Sequence, residues 1–350
     1  MPMMISEREA GRTGDSEPPP PSAARSSPPS PLLRRFPALA TIPRALLGDY
    51  PTPVERLPVA EPLWIKRDDL SALELGGNKV RALEFLLGGL SAGDEVLTVG
   101  GEGSTHVLAT AVHAARLGIR ASAIRWRHDM NPGADAVARR SGEVQIPSEM
   151  YGGPLRGLAR GQLARLGARV TRFIPLGGTS PLGVLGHVNA GLELAEQVVA
   201  KLLPAPEHVV VPLGTGGTAA GLALGFRIAG LRTIVVGARV APLIGSNRWR
   251  VLRVARRAAQ LIARHTGQRI PVPGFEDVRV VHDFYGGAYG RPSAAAAAAA
   301  QTLHELTGIR LDGTYSAKAY AAALSMARYT GTPTLFWLTF DGRWLGEAEY

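Results

Sequence analysis

Residues Leu73 to Glu84 read Leu-Glu-Leu-Gly-Gly-Asn-Lys-Val-Arg-Ala-Leu-Glu, centred on the turn Gly76-Gly77-Asn78-Lys79. Two adjacent glycines let the backbone turn tightly and approach a flat ligand. Asn78 suits a turn and can offer its amide to a ligand or to backbone. Val80 to Leu87 continues as the first turns of a helix. A lysine on the lip of a Gly-rich turn is placed to act as an amine nucleophile. The same residue also reads as a solvated lysine at a helix start, and both readings stand at this point.

Composition bears on the choice. The chain has 39 lysines and arginines, of which only Lys66, Lys79, Lys201 and Lys318 are lysines. A guanidinium stays charged, so a chain that prefers arginine keeps lysine where an amine must lose its proton, as in a Schiff base. The 45% hydrophobic content over 350 residues allows one large globular unit or two modest ones. No apolar run reaches the length of a membrane span. The absence of cysteine excludes a disulfide framework and thiolate chemistry, and it fits a reducing compartment. A net charge of +10 raises nucleic acid as a partner. The arginines are dispersed, however, and no aromatic-plus-basic recognition module accompanies them. The charge therefore reads as a solvated basic surface.

Met1 to Phe36 is rich in Pro, Ser and Arg, with Pro18-Pro19-Pro20-Pro21 at its middle. Such a segment is expected to be a disordered tail. It has no apolar region of a secretory signal, and Glu7, Glu9, Asp15 and Glu17 speak against an organelle transit peptide. The cytoplasm is the expected place of work.

Beyond the tail the pattern alternates. Strands are predicted at Leu63–Arg67, Glu95–Val99, Ala121–Trp126, Arg169–Ile174, His208–Pro212, Thr233–Val236 and Thr334–Leu338. Helices are predicted at Thr105–Leu117, Pro132–Arg140, Gly157–Leu166, Val184–Leu202, Thr218–Ile228, Trp249–His265, Ser293–Leu306 and Ser316–Tyr329. Strands alternating with helices imply α/β architecture with parallel sheets covered on both faces. Ligands of such sheets bind at the carboxyl ends of the strands.

Several Gly-rich turns sit there. Val209 to Gly221 runs from a strand through Gly214-Thr215-Gly216-Gly217-Thr218 into a helix. Its backbone N–H groups and positive helix end suit a phosphate, with Thr215 and Thr218 as hydroxyl donors. The bland alternative is a tight strand–helix turn. The pattern Gly214-x-Gly216-x-x-Ala219 also matches a relaxed dinucleotide motif, and Arg239 would then meet the extra phosphate of NADP, making the chain an oxidoreductase. Gly100 to His106 places Ser104 near an N-cap, to cap the helix or to aim a hydroxyl at a ligand. His106 lies one turn inside, where a lone histidine usually packs. Gly177 to Gly183, Asp283 to Gly290 and Asp312 to Lys318 are three more loops of glycine with hydroxyl or phenol groups. No His-Glu-x-x-His, Walker lysine or Gly-x-Ser-x-Gly elbow is present, so no metal ligand set or P-loop is indicated.

In this order the motifs resemble the pyridoxal-phosphate enzymes of the tryptophan-synthase-β fold (fold type II), in the branch of 1-aminocyclopropane-1-carboxylate deaminase and D-cysteine desulfhydrase. The resemblance covers roughly residues 50 to 340. It is most specific at Trp64-Ile65-Lys66-Arg67-Asp68-Asp69-Leu70 followed by Gly76-Gly77-Asn78-Lys79. It implies two parallel-sheet α/β subdomains with the cofactor cleft between them: a catalytic domain over 37–345, with a smaller α/β unit inserted at about 90–200. It implies that pyridoxal 5'-phosphate forms a Schiff base with Lys79, next to Asn78 and Thr105. Gly214, Thr215, Gly216, Gly217 and Thr218 would hold the phosphate. Ser104, Tyr289 and Tyr315 would face the substrate, and Ser316 the pyridine nitrogen. Desulfhydrase-like members carry threonine at that last position and deaminases carry glutamate.

A neutral hydroxyl there makes the ring a weaker electron sink than a carboxylate would. Proton loss at Cα followed by departure of a good β leaving group tolerates this better than cyclopropane opening does. The expected activity is therefore β-elimination from a small amino acid to a 2-oxo acid and ammonia, as in D-cysteine desulfhydrase, by a homodimer without nucleic-acid or membrane partners. The alternatives are a 1-aminocyclopropane-1-carboxylate deaminase and a catalytically impaired cofactor-binding protein. Three departures from the family pattern bear on this: Thr105 for asparagine, Ala82 for lysine, and Thr339-Phe340-Asp341-Gly342 for a Thr-Gly-Gly turn.

Overall fold

The computed structural model describes residues 29–167, 170–291 and 293–344. Its larger sheet joins β1 (Val54–Arg56), β2 (Leu63–Arg67), β10 (Thr334–Leu338), β7 (His208–Leu213), β8 (Ile234–Arg239) and β9 (Val278–Val281), in that spatial order. Only β1 runs antiparallel to its neighbour. The smaller sheet orders β5 (Ser148–Tyr151), β4 (Arg120–Trp126), β3 (Glu95–Gly101) and β6 (Arg172–Ile174), all parallel. The helices are α1 (Pro31–Arg35), α2 (Asn78–Leu86), α3 (Thr105–Ala115), α4 (Pro132–Glu143), α5 (Pro154–Leu166), α6 (Pro181–Val199), α7 (Gly217–Ala229), α8 (Arg248–Thr266), α9 (Ala294–Thr307) and α10 (Ser316–Thr330). Two parallel α/β sheets are thus present as expected. None of these helices, among the described residues, is long and apolar enough to cross a membrane.

The apolar runs are explained by burial on both faces. In β7, Val209 and Val211 point into a core shared with α1, α6, α7 and α8. Val210 between them points into a second core under α9 and α10. The strand period of two separates the layers. The helices that flank the cavity approach closely because glycine lines their contacts. A Cβ on Gly186 of α6 would lie 1.9 Å from the Arg81 carbonyl oxygen of α2, and one on Gly221 of α7 would lie 2.2 Å from His187 Cβ.

Two expected boundaries are corrected. The tail does not extend to Phe36: Pro31–Arg35 is helical, and Leu32 and Phe36 are buried against the α6–α7 layer. The Leu32 N–H donates to Asn189 Oδ1 at 2.9 Å, so one apolar turn docks despite its Pro/Arg surroundings. Residues 1–28 lie outside the described residues. The smaller unit also ends earlier than residue 200. Its sheet spans Glu95 to Ile174, whereas α6 packs on α2, α7 and α8. Strands β1, β5 and β9 were not expected; each is a short edge strand.

Where α2, α6, β2 and β10 meet, four charges are buried together. Arg81 donates to Asp68 through Nε (2.8 Å) and Nη2 (2.7 Å), and to Glu193 through Nη1 (2.9 Å). Lys66 Nζ donates to Glu193 Oε1 (2.6 Å), Gln197 Oε1 (2.7 Å) and the Thr52 carbonyl (2.7 Å). Trp337 Nε1 donates to Asp68 Oδ2 at 2.7 Å. Burial alone would raise the Glu193 carboxyl, but Arg81 and Lys66 hold it down to about 2. Replacing Glu193 by alanine leaves two buried cations facing one anion. Glu193→Ala should cost about 3–5 kcal/mol of folding free energy. Glu196→Ala, three residues further along α6, loses only an exposed ion pair to Arg34 of α1 and should cost less than about 1 kcal/mol. Parallel urea titrations of the two variants compare them.

Candidate active site

The Lys79 turn is clamped from two strand ends. The Gly77 N–H donates to the Asp68 carbonyl at 2.7 Å, just past β2. The Asn78 N–H donates to the Thr339 carbonyl at 3.0 Å, just past β10. Gly77 has φ +120°, and a Cβ there would lie 2.6 Å from the Thr339 oxygen, so only glycine fits. The Asn78 amide Nδ2 donates to Thr218 Oγ1 at 2.7 Å, which ties the lysine turn to the start of α7. Lys79 projects between them into a cavity of about 710 Å³. Burial alone lowers its amine from 10.5 to about 8.

Gly214, Thr215, Gly216, Gly217 and Thr218 line the same cavity. Gly216 adopts φ +87° at the N-cap of α7, and no side chain caps that helix. The first N–H groups of a helix have no partner within it. Here they open toward the cavity beside three hydroxyls, because Thr215 Oγ1 also meets Thr179 Oγ1 at 2.6 Å. Arg250 borders the loop and donates Nε to the Thr215 carbonyl at 3.0 Å. Thr179 and Arg250 were not among the sequence-predicted site residues. Thr179 lies in a Gly/hydroxyl loop whose composition was the available signal; Arg250 lies on α8 and had none.

Ser104 and Thr105 line the wall at the start of α3. Ser104 caps that helix, accepting from the Val107 N–H at 3.4 Å, while facing the cavity. His106 pairs Nε2 with Thr98 Oγ1 at 2.9 Å; burial, helped by the Lys79 charge, holds its ring neutral, down to about 3. Tyr289 and Tyr315 share a hydroxyl–hydroxyl hydrogen bond, with their rings edge to face. Burial raises both phenols, so each keeps its proton at neutral pH. Asn131, at the N-cap of α4, donates Nδ2 to Thr314 Oγ1 at 2.7 Å and to the Gly290 carbonyl, and so fixes both tyrosine loops.

Three sequence-marked residues lie elsewhere. Ser316 is not on the wall. It lies fully buried behind Tyr315, and its Oγ has no hydrogen-bond partner among the described residues. Ala82 is buried in a core cluster with Leu83 and Leu86 and does not line the cavity. Arg239 stacks on the Tyr285 ring at 3.7 Å and does not line the cavity, which leaves the NADP alternative without its phosphate partner.

The wall fits pyridoxal phosphate: an amine of lowered pKa, and an uncapped helix start with hydroxyls for the phosphate. The model of the pyridoxal-phosphate dependent enzyme family matches residues 45–339. The chain belongs to that family. It is 37% identical to nocardicin C-9' epimerase of Nocardia uniformis subsp. tsuyamanensis, over 89% of this chain and 96% of that one. It is 32% identical to a putative 1-aminocyclopropane-1-carboxylate deaminase of Pyrococcus abyssi (strain GE5 / Orsay), covering 85% and 88%. It is 30% identical to D-cysteine desulfhydrase of Salmonella choleraesuis (strain SC-B67), covering 82% and 89%. A crystal structure of an ACC deaminase homologue superposes with a TM-score of 0.72 at 29% identity, over 88% of this chain and 94% of that one. These place the enzyme in the deaminase and desulfhydrase branch, and pyridoxal phosphate is its cofactor.

An amine condenses with an aldehyde only in its unprotonated form, so a role for Lys79 in holding the cofactor is testable through pH. Attachment to apo-enzyme, followed by absorbance, should therefore speed up as pH rises through about 8 and level off above it. A midpoint near the ordinary lysine value would contradict the burial of Lys79. Lys79→Ala should give no attached cofactor.

Proposed function

We propose that this enzyme removes the Cα proton of an amino acid and expels a leaving group from Cβ, giving a 2-oxo acid and ammonia, in the manner of D-cysteine desulfhydrase. When bound, pyridoxal phosphate supplies the electron sink that makes the Cα proton acidic. In this proposal Lys79 holds the cofactor and then, as a free amine, takes the Cα proton. Its pKa near 8 suits a base working close to neutral pH. The Tyr289–Tyr315 pair stays protonated and donates a proton to the departing group. Ser104 orients the substrate carboxylate from the start of α3. Gly214 to Thr218 anchor the phosphate, with Asn78 and Thr105 at the ring.

The single observation that carries this is the placement of Lys79, the uncapped α7 start and the tyrosine pair on one cavity wall. Ser316 supports elimination over ring opening only by its chemistry: a neutral hydroxyl stands where deaminases of the family carry glutamate, and it lies off the cavity wall. A homodimer in the cytoplasm belongs to the same proposal. The 37% identity to an epimerase favours a second reading, in which the proton returns to Cα and no group leaves.

The test is release of 2-oxo acid across D- and L-amino acids bearing a β leaving group, beside solvent-deuterium exchange at Cα. Elimination predicts both signals from wild type. Tyr315→Phe should lower kcat by about 10²–10⁴-fold while the cofactor stays attached. Exchange with no 2-oxo acid from any substrate would replace elimination by epimerisation.

A further inference from the structure

The cavity has two chemically distinct ends. The end at Lys79 is polar, walled by Asn78, Ser104, Thr105, Thr215, Thr218 and the tyrosines. The other is mainly carbon, although Gln162 of α5 and His128 just past β4 also line the cavity. Val99 of β3, Trp126 of β4, Leu158 of α5 and Phe173 of β6 line it, and they belong to one small packed cluster apart from the main cores. Two glycines of α5, one turn apart, bring that helix down onto this wall. A Cβ on Gly157 would lie 2.7 Å from Trp126 Cε3, and one on Gly161 would lie 2.8 Å from Val99 Cγ1. At the mouth, Leu155 (84% exposed) and Ile244 (92% exposed) line the cavity from opposite sheets. Among the described residues, no aspartate or glutamate lines the cavity, and the only lysine and arginine that do are Lys79 and Arg250, beside the Gly214–Thr218 loop.

A thiol beyond Cβ is a single sulfur atom and cannot meet an indole, a phenyl ring and two branched side chains. Volume agrees: about 710 Å³ lies well inside the range of roughly 300–1,000 Å³ that holds drug-sized ligands. With no charged group on the carbon wall, a charged side chain would lose its hydration there without a partner. An aromatic or branched apolar group would instead gain burial and edge or face contacts with Trp126 and Phe173.

We propose that the substrate is an amino acid carrying a bulky, uncharged apolar group beyond Cβ, seated against Trp126, Leu158 and Phe173 under α5. This rests on the elimination chemistry above and specifies its leaving group as an aryl or branched alkyl thiol joined to the alanyl head by a thioether. The Cα proton leaves to Lys79. The Cβ–S bond breaks with its electron pair going to sulfur, which takes up a proton to become the thiol. Water then hydrolyses the released three-carbon unit to pyruvate and ammonia.

The test titrates the cofactor-loaded enzyme with both enantiomers of S-benzylcysteine and of cysteine. Affinity is read from the cofactor absorbance, with Cα deuterium exchange and thiol release read separately. S-benzylcysteine should bind at least about tenfold tighter than cysteine of the same hand, a difference of about 1.4 kcal/mol. Leu155→Asp alters an exposed rim residue, so the variant should fold; it should bring that ratio toward one. Phe173→Ala should do the same. Equal or weaker binding of the benzyl compound, or a ratio unmoved by Leu155→Asp, overturns the subsite. Tight binding with Cα exchange but no thiol release supports the subsite and overturns elimination.

Discussion

Arg81 and Lys66, buried against Asp68 and Glu193, fix the lysine turn. The four side chains come from α2, β2, the turn just past β2 and α6, and Trp337 of β10 joins them through Asp68. Successive helix residues turn by about 100°, so residues two apart point to nearly opposite sides. Arg81 is two residues after Lys79, and their side chains leave α2 in those two directions. One is anchored in the charge network and the other projects into the cavity. The anchor therefore sets both the rotation of α2 and the position of the amine. Well-packed apolar residues would match the stability of such a network. What they would lack is the directional hydrogen bonding that locks one helix rotation.

The network is also balanced, two cations against two anions, and the carboxylates are spent on it. No described carboxylate is left facing the Lys79 amine, which is why burial alone determines its lowered pKa. A carboxylate on the cavity wall would favour the ammonium and make the lysine a poorer nucleophile. Positive potential comes instead from the α7 start and Arg250, where it suits a phosphate rather than an amine. The two requirements on electrostatics are met in different places: charge compensation behind α2, and a neutral amine in front of it.

The parts legible in the sequence are local. Gly76-Gly77-Asn78-Lys79 and the Gly214–Thr218 loop announce themselves because turn residues and helix starts are specified by neighbours in the chain. Central strands were found for a related reason: β2 and β10 match the expected spans because burial on both faces makes every position apolar or paired. The edge strands β1, β5 and β9 pair on one side only, and their mixed sequences carry no period. Lys66 and Asp68 were recognised as a motif, but not as charges awaiting Glu193, which lies 127 residues beyond Lys66. Lysine scarcity was likewise read only as a sign of amine chemistry. Lys66 shows a second use, as a compact ammonium with three donors that satisfies three acceptors inside the core. The carbon wall was invisible because Val99, Trp126, Leu158 and Phe173 read as ordinary core residues until the sheets were placed face to face.

That division has a mechanical consequence. The amine, the Gly214–Thr218 loop and the tyrosine pair are built on α2 and on strand and loop ends of the larger sheet, and the charge network behind α2 joins it to β2, the turn after β2, Thr52, α6 and β10. The carbon wall rests on β3, β4, β6 and α5, whose packed cluster contains none of those charges. Side chains on α5 can therefore change size without disturbing the rotation of α2 or the amine it presents. The halves meet through an apolar core, in which Val80, Leu83 and Leu86 of α2 pack with Val96, Leu108 and Ile174, and through Asn131, which reaches across to Thr314 and Gly290 beside the tyrosines. The charge network behind α2 and the apolar wall of the cavity are thus built from different sets of residues.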